Sequence, residues 1–465
     1  MSEAHTVGEL RRAGYRVRPV KAELRHNLIR KLQAGETLFP GILGYSDTVI
    51  PQLENAILAG QDIVLLGERG QAKSRLVRSL TTLLDERVPV IAGCEINDDP
   101  GHPICRRCRD LVAERGDDTP VAWLSPEERY GEKLATPDTS IADLIGEVDP
   151  IRVAEGRYLA DELVIHYGLI PRTNRGIFAI NELPDLAERI QVGLLNIIEE
   201  RDVQIRGFRI RLPLDVVVVA TANPEDYTNR GRIITPLKDR FGAQVRTHYP
   251  RAADDEIAIA DQERVSFEEM PVPVRLPGHM KEIAAEITHL ARRHPQVNQR
   301  SGVSVRVTTA NCETLAANAV RRALLCGERE AVARISDLPY VVASTAGKVE
   351  LDAWEEADDE QVLDKLVRTA CSNVFRRHFS AGELADLVQR FDQGGFSVEV
   401  GPLMAAESYG PAVAGLPGLD HARAKLGEPP GPESMAAVLE FVLEGLHLSK
   451  RLNKTALEST SVYGG

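Results

Sequence analysis

One segment, Gly67-Glu68-Arg69-Gly70-Gln71-Ala72-Lys73-Ser74, constrains this chain more than any other. It lies between the apolar run 62–66 (DIVLL) and the helical stretch 75–84. A strand that ends in a glycine-bearing loop and turns at once into a helix aims its amides at one spot, and that spot attracts phosphate oxygens. In such a P-loop Lys73 reaches the β- and γ-phosphates and Ser74 ligates Mg²⁺. The residues expected to hold a nucleotide are therefore Gly67, Glu68, Arg69, Gly70, Gln71, Ala72, Lys73, Ser74 and the following Arg75. One position departs from the pattern G-x-x-x-x-G-K-S/T, because Ala72 stands where the second glycine normally sits. Its methyl group is accommodated as long as its φ stays negative. A plain strand–helix turn would explain the glycines but not the Lys-Ser pair.

Two further apolar runs, 176–180 (GIFAI) and 215–220 (DVVVVA), have the length of buried strands. Each is followed by polar residues at its carboxyl end, where open α/β sheets bind ligands. The first leads into Asn181-Glu182, the place of a Walker-B acidic pair. There the first carboxylate orients Mg²⁺ and the second polarises the attacking water. Asn181 can hold a Mg²⁺-bound water but carries no charge, which leaves Glu182 as the candidate base. The second run leads into Thr221-Ala222-Asn223-Pro224, where Asn223 can hydrogen-bond the γ-phosphate or the lytic water. From 39 to 245 short β-branched runs alternate with longer amphipathic stretches, as a mainly parallel sheet requires. The expected fold is α/β, a three-layer αβα P-loop domain with a parallel sheet over 36–252. A basic extension, 1–35, precedes it, and insertions are expected at 92–135 and near 149–168. A helical lid over 253–350 follows, with helices at 280–293 and 310–325. A helical C-terminal extension, 351–465, carries one amphipathic helix at 433–448.

Composition narrows the function. A chain of 465 residues exceeds one typical core. A formal charge of −13 argues against broad nucleic-acid binding, which needs clustered positive charge. Arg11, Arg12, Arg16, Arg18, Lys21, Arg25, Arg30 and Lys31 form a local basic stretch, read as a solvated helix face. No apolar run approaches the roughly 20 residues of a membrane helix. The N-terminus has no secretory apolar core, and six cysteines in a chain this long do not make a disulfide scaffold. A cytoplasmic protein is expected.

Taken in order, these motifs resemble the AAA+ ATPases of the clade containing the magnesium-chelatase I subunit and the MoxR proteins. The resemblance covers about 36–350 and is carried by 143–146 (DLIG), 154–156 (AEG), 168–182 (GLIPRTNRGIFAINE), 191–202 (QVGLLNIIEERD), 220–224 (ATANP) and 237–242 (LKDRFG). It implies ATP and Mg²⁺ as cofactors, a ring-shaped and most commonly hexameric homo-oligomer, and a partner protein with a von Willebrand factor A-type domain. Asn223 matches sensor 1, Arg240 the arginine finger that reaches a neighbour's γ-phosphate, and Arg306 sensor 2 of the lid. Arg230 and Arg232 are rival interface arginines. The stretch 149–168 matches the helix-2 insertion, and 203–212 the hairpin before sensor 1. The family has Asp and Gly where this chain has Asn181 and Ala72. Two functions follow from that: an ATPase that remodels a partner, or a nucleotide-gated scaffold with little turnover.

One feature lies outside the ATPase motifs. Cys94, Cys105 and Cys108, with His102 between them, follow the apolar run 88–91. A Cys-x-x-Cys pair, a third thiolate and an imidazole can complete a tetrahedral Zn²⁺ site. Free thiols in a polar loop are the other reading. Cys312, Cys326 and Cys371 are expected as core thiols, and His166 as a packed or hairpin histidine.

Overall fold

The computed structural model describes residues 4–148, 162–200, 202–204, 211–223, 232–298, 302–351, 359–380, 382–393, 395–458 and 460–465. It divides into two units, Met1–His248 and Tyr249–Gly465.

The first unit is built on five parallel strands: β1 (Ile63–Leu66), β2 (Tyr130–Leu134), β3 (Gly176–Asn181), β4 (Val216–Ala222) and β5 (Ala243–Arg246). Their order is β5-β1-β4-β3-β2, with Ile63 facing Val219 and Val216 facing Gly176 in the register. β3 and β4 are buried at every position, as strands covered on both faces must be. Alternate side chains enter two separate cores. Val64, Phe178, Ile180, Val216, Val218 and Ala220 face one layer. Ile63, Leu65, Ile177, Ala179, Val217 and Val219 face the other. This is the three-layer αβα arrangement expected from the alternating pattern.

The second of these cores takes its helices from α1 (Val20–Ala34), α2 (Val49–Ala59) and α3 (Lys73–Ser79). They contribute Val20, Leu24, Leu28, Leu53, Ile57, Leu76 and Val77. Arg11, Arg12, Arg16, Arg18, Arg25 and Arg30 stay exposed, the solvated face read from the sequence. On the buried side of α1, Glu23 meets the Arg129 guanidinium in a two-pronged pair with both contacts at 2.7 Å. The opposite core includes α5 (Glu188–Glu199) through Ile190, Leu194 and Ile197. It also holds Cys108 of α4 (Arg106–Arg115) and Cys105, which caps its start.

The structure corrects the reading of 92–135 as an insertion, because its last residues are β2, the edge strand of the sheet. YGEKL is polar and only partly buried, so it lacks the apolar signature of its neighbours. Of the helix-2 insertion, 149–161 lie outside the described residues; Ile165–Tyr167 pairs antiparallel with Gly146–Val148, and His166 sits exposed in that hairpin. In the stretch 203–212 matched to the family's hairpin, Asp202–Gln204 pairs antiparallel with Arg211–Pro213, while 205–210 lie outside the described residues.

The second unit is mainly helical. α7 (Gly278–Ala291), α8 (Arg306–Cys326) and α10 (Pro432–Leu448) fall close to the expected helices, and α9 (Asp359–His378) is a further long helix in the C-terminal extension. Residues from 260 to 463 share one hydrophobic cluster, with Ile283, Leu315, Val374 and Phe441 among its fully buried members. A three-stranded antiparallel sheet, Ser397–Val400, Ser461–Gly464 and Asn453–Ala456, stands where only helix was expected. Cys312 and Cys371 are core thiols as expected. Cys326, at the end of α8, is only partly buried and donates to the Leu403 carbonyl, so it is not one.

Candidate nucleotide site

The carboxyl ends of β1, β3 and β4 bring the predicted residues together. Lys73 is buried, and its Nζ donates to the carbonyls of Gly67 (2.5 Å) and Glu68 (2.8 Å) and to Asn223 Oδ1 (2.6 Å). Asn223 in turn donates through Nδ2 to Glu182 Oε2 at 2.6 Å. Lys73, Asn223 and Glu182 thus form one continuous hydrogen-bonded chain across three strand ends. Thr221 Oγ1 accepts from the Glu182 amide at 3.1 Å and reaches Asn181 Oδ1 at 3.4 Å, fixing the turn that carries the base. Glu182 adopts φ 56°, a left-handed conformation rare outside glycine and common at functional turns.

The loop is braced from behind. Gln71 Oε1 accepts from the Glu68 amide at 3.1 Å and from Thr247 Oγ1 at 2.7 Å. Tyr45 Oη lies 2.9 Å from the Gln71 carbonyl and 2.8 Å from that of His248, and burial pushes its pKa up to about 12. A Cβ on Gly67 would lie 1.9 Å from Thr247 Oγ1 and 2.2 Å from Gln71 Oε1, so only glycine fits there. Arg69, Ala72, Ser74 and Arg75 are exposed on the open side of the loop, and Gly70 takes φ 75°. Ala72 has φ 54°, so the condition of a negative φ is not met and its Cβ is held in the left-handed region.

Two side chains that no motif pointed to complete the site. Asn181 Nδ2 donates to Glu132 Oε1 at 2.5 Å, and Arg78 of α3 pairs with the same carboxylate at 2.9 and 3.1 Å. Burial raises the Glu132 carboxyl, but the Arg78 guanidinium outweighs it and holds the group below the usual carboxylate range. An ionised carboxylate therefore stands beside the neutral Asn181. Only the register of β2 against β3, with Glu132 level with Ala179, brings it there, and YGEKL gives no sequence signal of that register.

Arg240 ends α6 (Thr235–Arg240) and pairs with Glu199 Oε2 at 2.5 Å. Arg232 lies 3.7 Å from Glu188, and Arg230 falls outside the described residues. Arg306 is the exposed first residue of α8 in the second unit.

The thiol group is only partly as expected. Cys94, Cys105 and Cys108 converge, but the fourth member is Asp98, not His102. The His102 side chain is 87% exposed and its Nδ1 lies 3.2 Å from Asp99 Oδ2. The turn after Asn97, which has φ 53°, folds Asp98 inward and leaves Gly101 and His102 exposed. Burial, and then Cys94, push the Asp98 carboxyl up to about 6.

A parallel sheet whose strand ends bring Lys73, Asn223 and Glu182 into one hydrogen-bonded chain has the arrangement expected of a P-loop ATPase. No family model matches the chain. A Nostoc sp. protein named magnesium-chelatase subunit ChlI is 25% identical over 348 residues, 70% of this chain and 88% of its own length. A Synechocystis sp. protein of the same name is 24% identical over 357 residues, 71% and 93% respectively. Among solved structures, a complex between subunits BchI and BchD of magnesium chelatase covers 70% of this chain and 98% of its own, with a TM-score of 0.36 and 21% identity. The chain is an ATP-hydrolysing enzyme of the AAA+ class, related to the magnesium-chelatase I subunits.

Proposed function

We propose that the chain works as a ring of identical subunits that couples ATP hydrolysis to remodelling a partner protein, in the manner of a magnesium-chelatase I subunit or a MoxR chaperone. The Lys73–Asn223–Glu182 chain carries this reading. It supports the reading because Lys73 as phosphate-binding cation, Asn223 as sensor and Glu182 as base would then act within one hydrogen-bonded row. A scaffold without turnover has no use for a base held this way. Asn223 keeps Glu182 oriented so that it accepts a proton from the attacking water. Lys73 stabilises charge on the transferring phosphoryl group.

Ser74 and Asn181 would hold Mg²⁺, which supplies charge neutralisation at the phosphates. Their chemistry fits: a hydroxyl on the open side of the loop and an amide at the end of β3. Glu132 adds the negative charge that Asn181 lacks, acting through the Asn181 amide as a positioning residue. Glu132→Gln is expected to raise the Mg²⁺ concentration for half-maximal turnover several-fold at saturating ATP. An unchanged Mg²⁺ dependence would remove Glu132 from the site.

Arg240 is the finger reaching a neighbour's site, and Arg306 serves as sensor 2. Arg240 stands at the end of α6 beside the exposed Lys238 and Asp239; it is partly exposed and paired with Glu199 of its own chain, so the first role requires that pair to open on assembly. The relatives are named as subunits of a chelatase, which supports a protein partner; a von Willebrand factor A-type domain is the partner proposed. Among the described residues no helix is long and apolar enough to cross a membrane. Six unpaired cysteines support a reducing cytoplasm. Steady-state ATPase activity across a protein concentration series tests the reading. Specific activity should rise with concentration and be lost in Glu182→Gln and in Arg240→Ala. Tight ATP binding with background turnover, unchanged by either substitution, would leave the nucleotide-gated scaffold.

A further inference from the structure

We propose that Cys94, Asp98, Cys105 and Cys108 form a mononuclear zinc site that staples the loop after the strand Val88–Ile91 to the start of α4. The inference does not rest on the ATPase reading. One ligand atom from each of the four residues lies within 4.8 Å of every other. Tetrahedral zinc with Zn–S bonds of about 2.3 Å sets its sulfurs about 3.8 Å apart, so the group needs only a small contraction. A cluster of several irons would hold its thiolates farther apart.

A second observation points to a cation on its own. Asp98 is fully buried, and its Oδ2 accepts from the Cys105 amide at 3.0 Å, but Oδ1 has no partner. Leaving a buried acceptor unpaired costs about 1–3 kcal/mol, more when it is charged. A metal ion among the three sulfurs would satisfy it. The backbone is already arranged for thiolates. The Asp98 amide points at Cys94 Sγ and the Cys108 amide at Cys105 Sγ, both at 3.4 Å. Such amide donors stabilise sulfur ligands and fix their geometry. Three thiolates and a carboxylate leave a zinc centre with two excess negative charges. Arg107, between Cys105 and Cys108, hydrogen-bonds the Gly93 carbonyl beside Cys94 and offsets part of that charge.

The site's role is structural. Its four protein ligands fill a tetrahedron and leave no open position for a substrate. Cys105 and Cys108 belong to the core under β3 and β4, so the ion would fix the loop against the layer that supports Asn181. Metal binding of this kind adds directly to folding stability.

The test uses the full chain purified without chelators, its metal content, and its absorption after replacement by Co²⁺. The expected result is one zinc per chain and the intense thiolate-to-cobalt absorption of a tetrahedral site. Asp98→Ala should weaken zinc binding at least roughly tenfold, Asp98→Cys should keep it, and His102→Ala should leave it unchanged. Iron with acid-labile sulfide, a disulfide among the three cysteines, or wild type without zinc and without cobalt absorption would overturn the proposal. So would an Asp98→Ala protein with undiminished affinity. Should Asp98→Ala fail to fold, wild-type stoichiometry with Asp98→Cys and His102→Ala decides.

Discussion

Ala72 marks where the local rule of the P-loop is broken. At φ 54° its Cβ crowds the following backbone, at roughly 1–2 kcal/mol for a non-glycine residue. Ala72→Gly removes that strain and loses some of the gain to the extra freedom of glycine in the unfolded chain. The expected net is about 0.5–1 kcal/mol of added stability, read as a higher denaturant midpoint with ATP binding retained. A lowered midpoint would contradict it. Glu182→Gln keeps the hydrogen-bond geometry to Asn223 but cannot take a proton. Turnover should fall roughly 10²–10⁴-fold while ATP still binds, as equilibrium dialysis beside a phosphate-release assay would show. Lys73, Glu182 and Asn223 were legible because each follows an apolar strand at a motif position. Glu132 and Asp98 were not. Strand register brings the first to Asn181 and a left-handed turn at Asn97 brings the second to the thiols, and neither is written in residue spacing.

At the scale of elements, β1, β3 and β4 could be read because burial on both faces demands unbroken runs of Val, Ile and Ala. β2 could not, since an edge strand with Glu132 and Lys133 presents no such run. In the second unit, Ser397–Val400 alternates exposed and buried positions, a period-two signal only four residues long. Short elements like these are fixed by what they pack against. The same holds for α1, whose place depends on Glu23 meeting Arg129 at side-chain exposures of 3% and 1%. Breaking one member of a buried pair leaves the other charge unpartnered, at about 3–5 kcal/mol. Arg129→Ala should therefore lower the stability of the first unit by about that amount, a loss that differential calorimetry would resolve. A change below about 1 kcal/mol would show that the pair is dispensable.

Among the described residues of the second unit, the buried His279 makes stability depend on pH. His279 is fully buried against Phe441, with ring centroids 4.6 Å apart, and neither ring nitrogen has a partner. Burial, with the nearby His378 and Arg275 charges, lowers its pKa to about 3. The neutral ring is kept in the fold while the unfolded chain takes up a proton below about pH 6.5. Stability is thus fully present above that value and falls with acidification towards pH 3, by about 1.4 kcal/mol per pH unit for this group. Unfolding of wild type beside His279→Leu across that window should show a shallower slope in the variant; parallel curves would contradict the assignment.

The central claim, a catalytic site shared between neighbouring subunits, is tested most directly by mixing two inactive variants. Glu182→Gln lacks the base but keeps the finger, and Arg240→Ala lacks the finger but keeps the base. In mixed rings some interfaces pair an intact base with an intact finger, so ATPase activity should reappear on mixing and depend on the ratio of the two proteins. Activity that stays at the level of either variant alone, at concentrations where mixed assemblies are demonstrated, would contradict it.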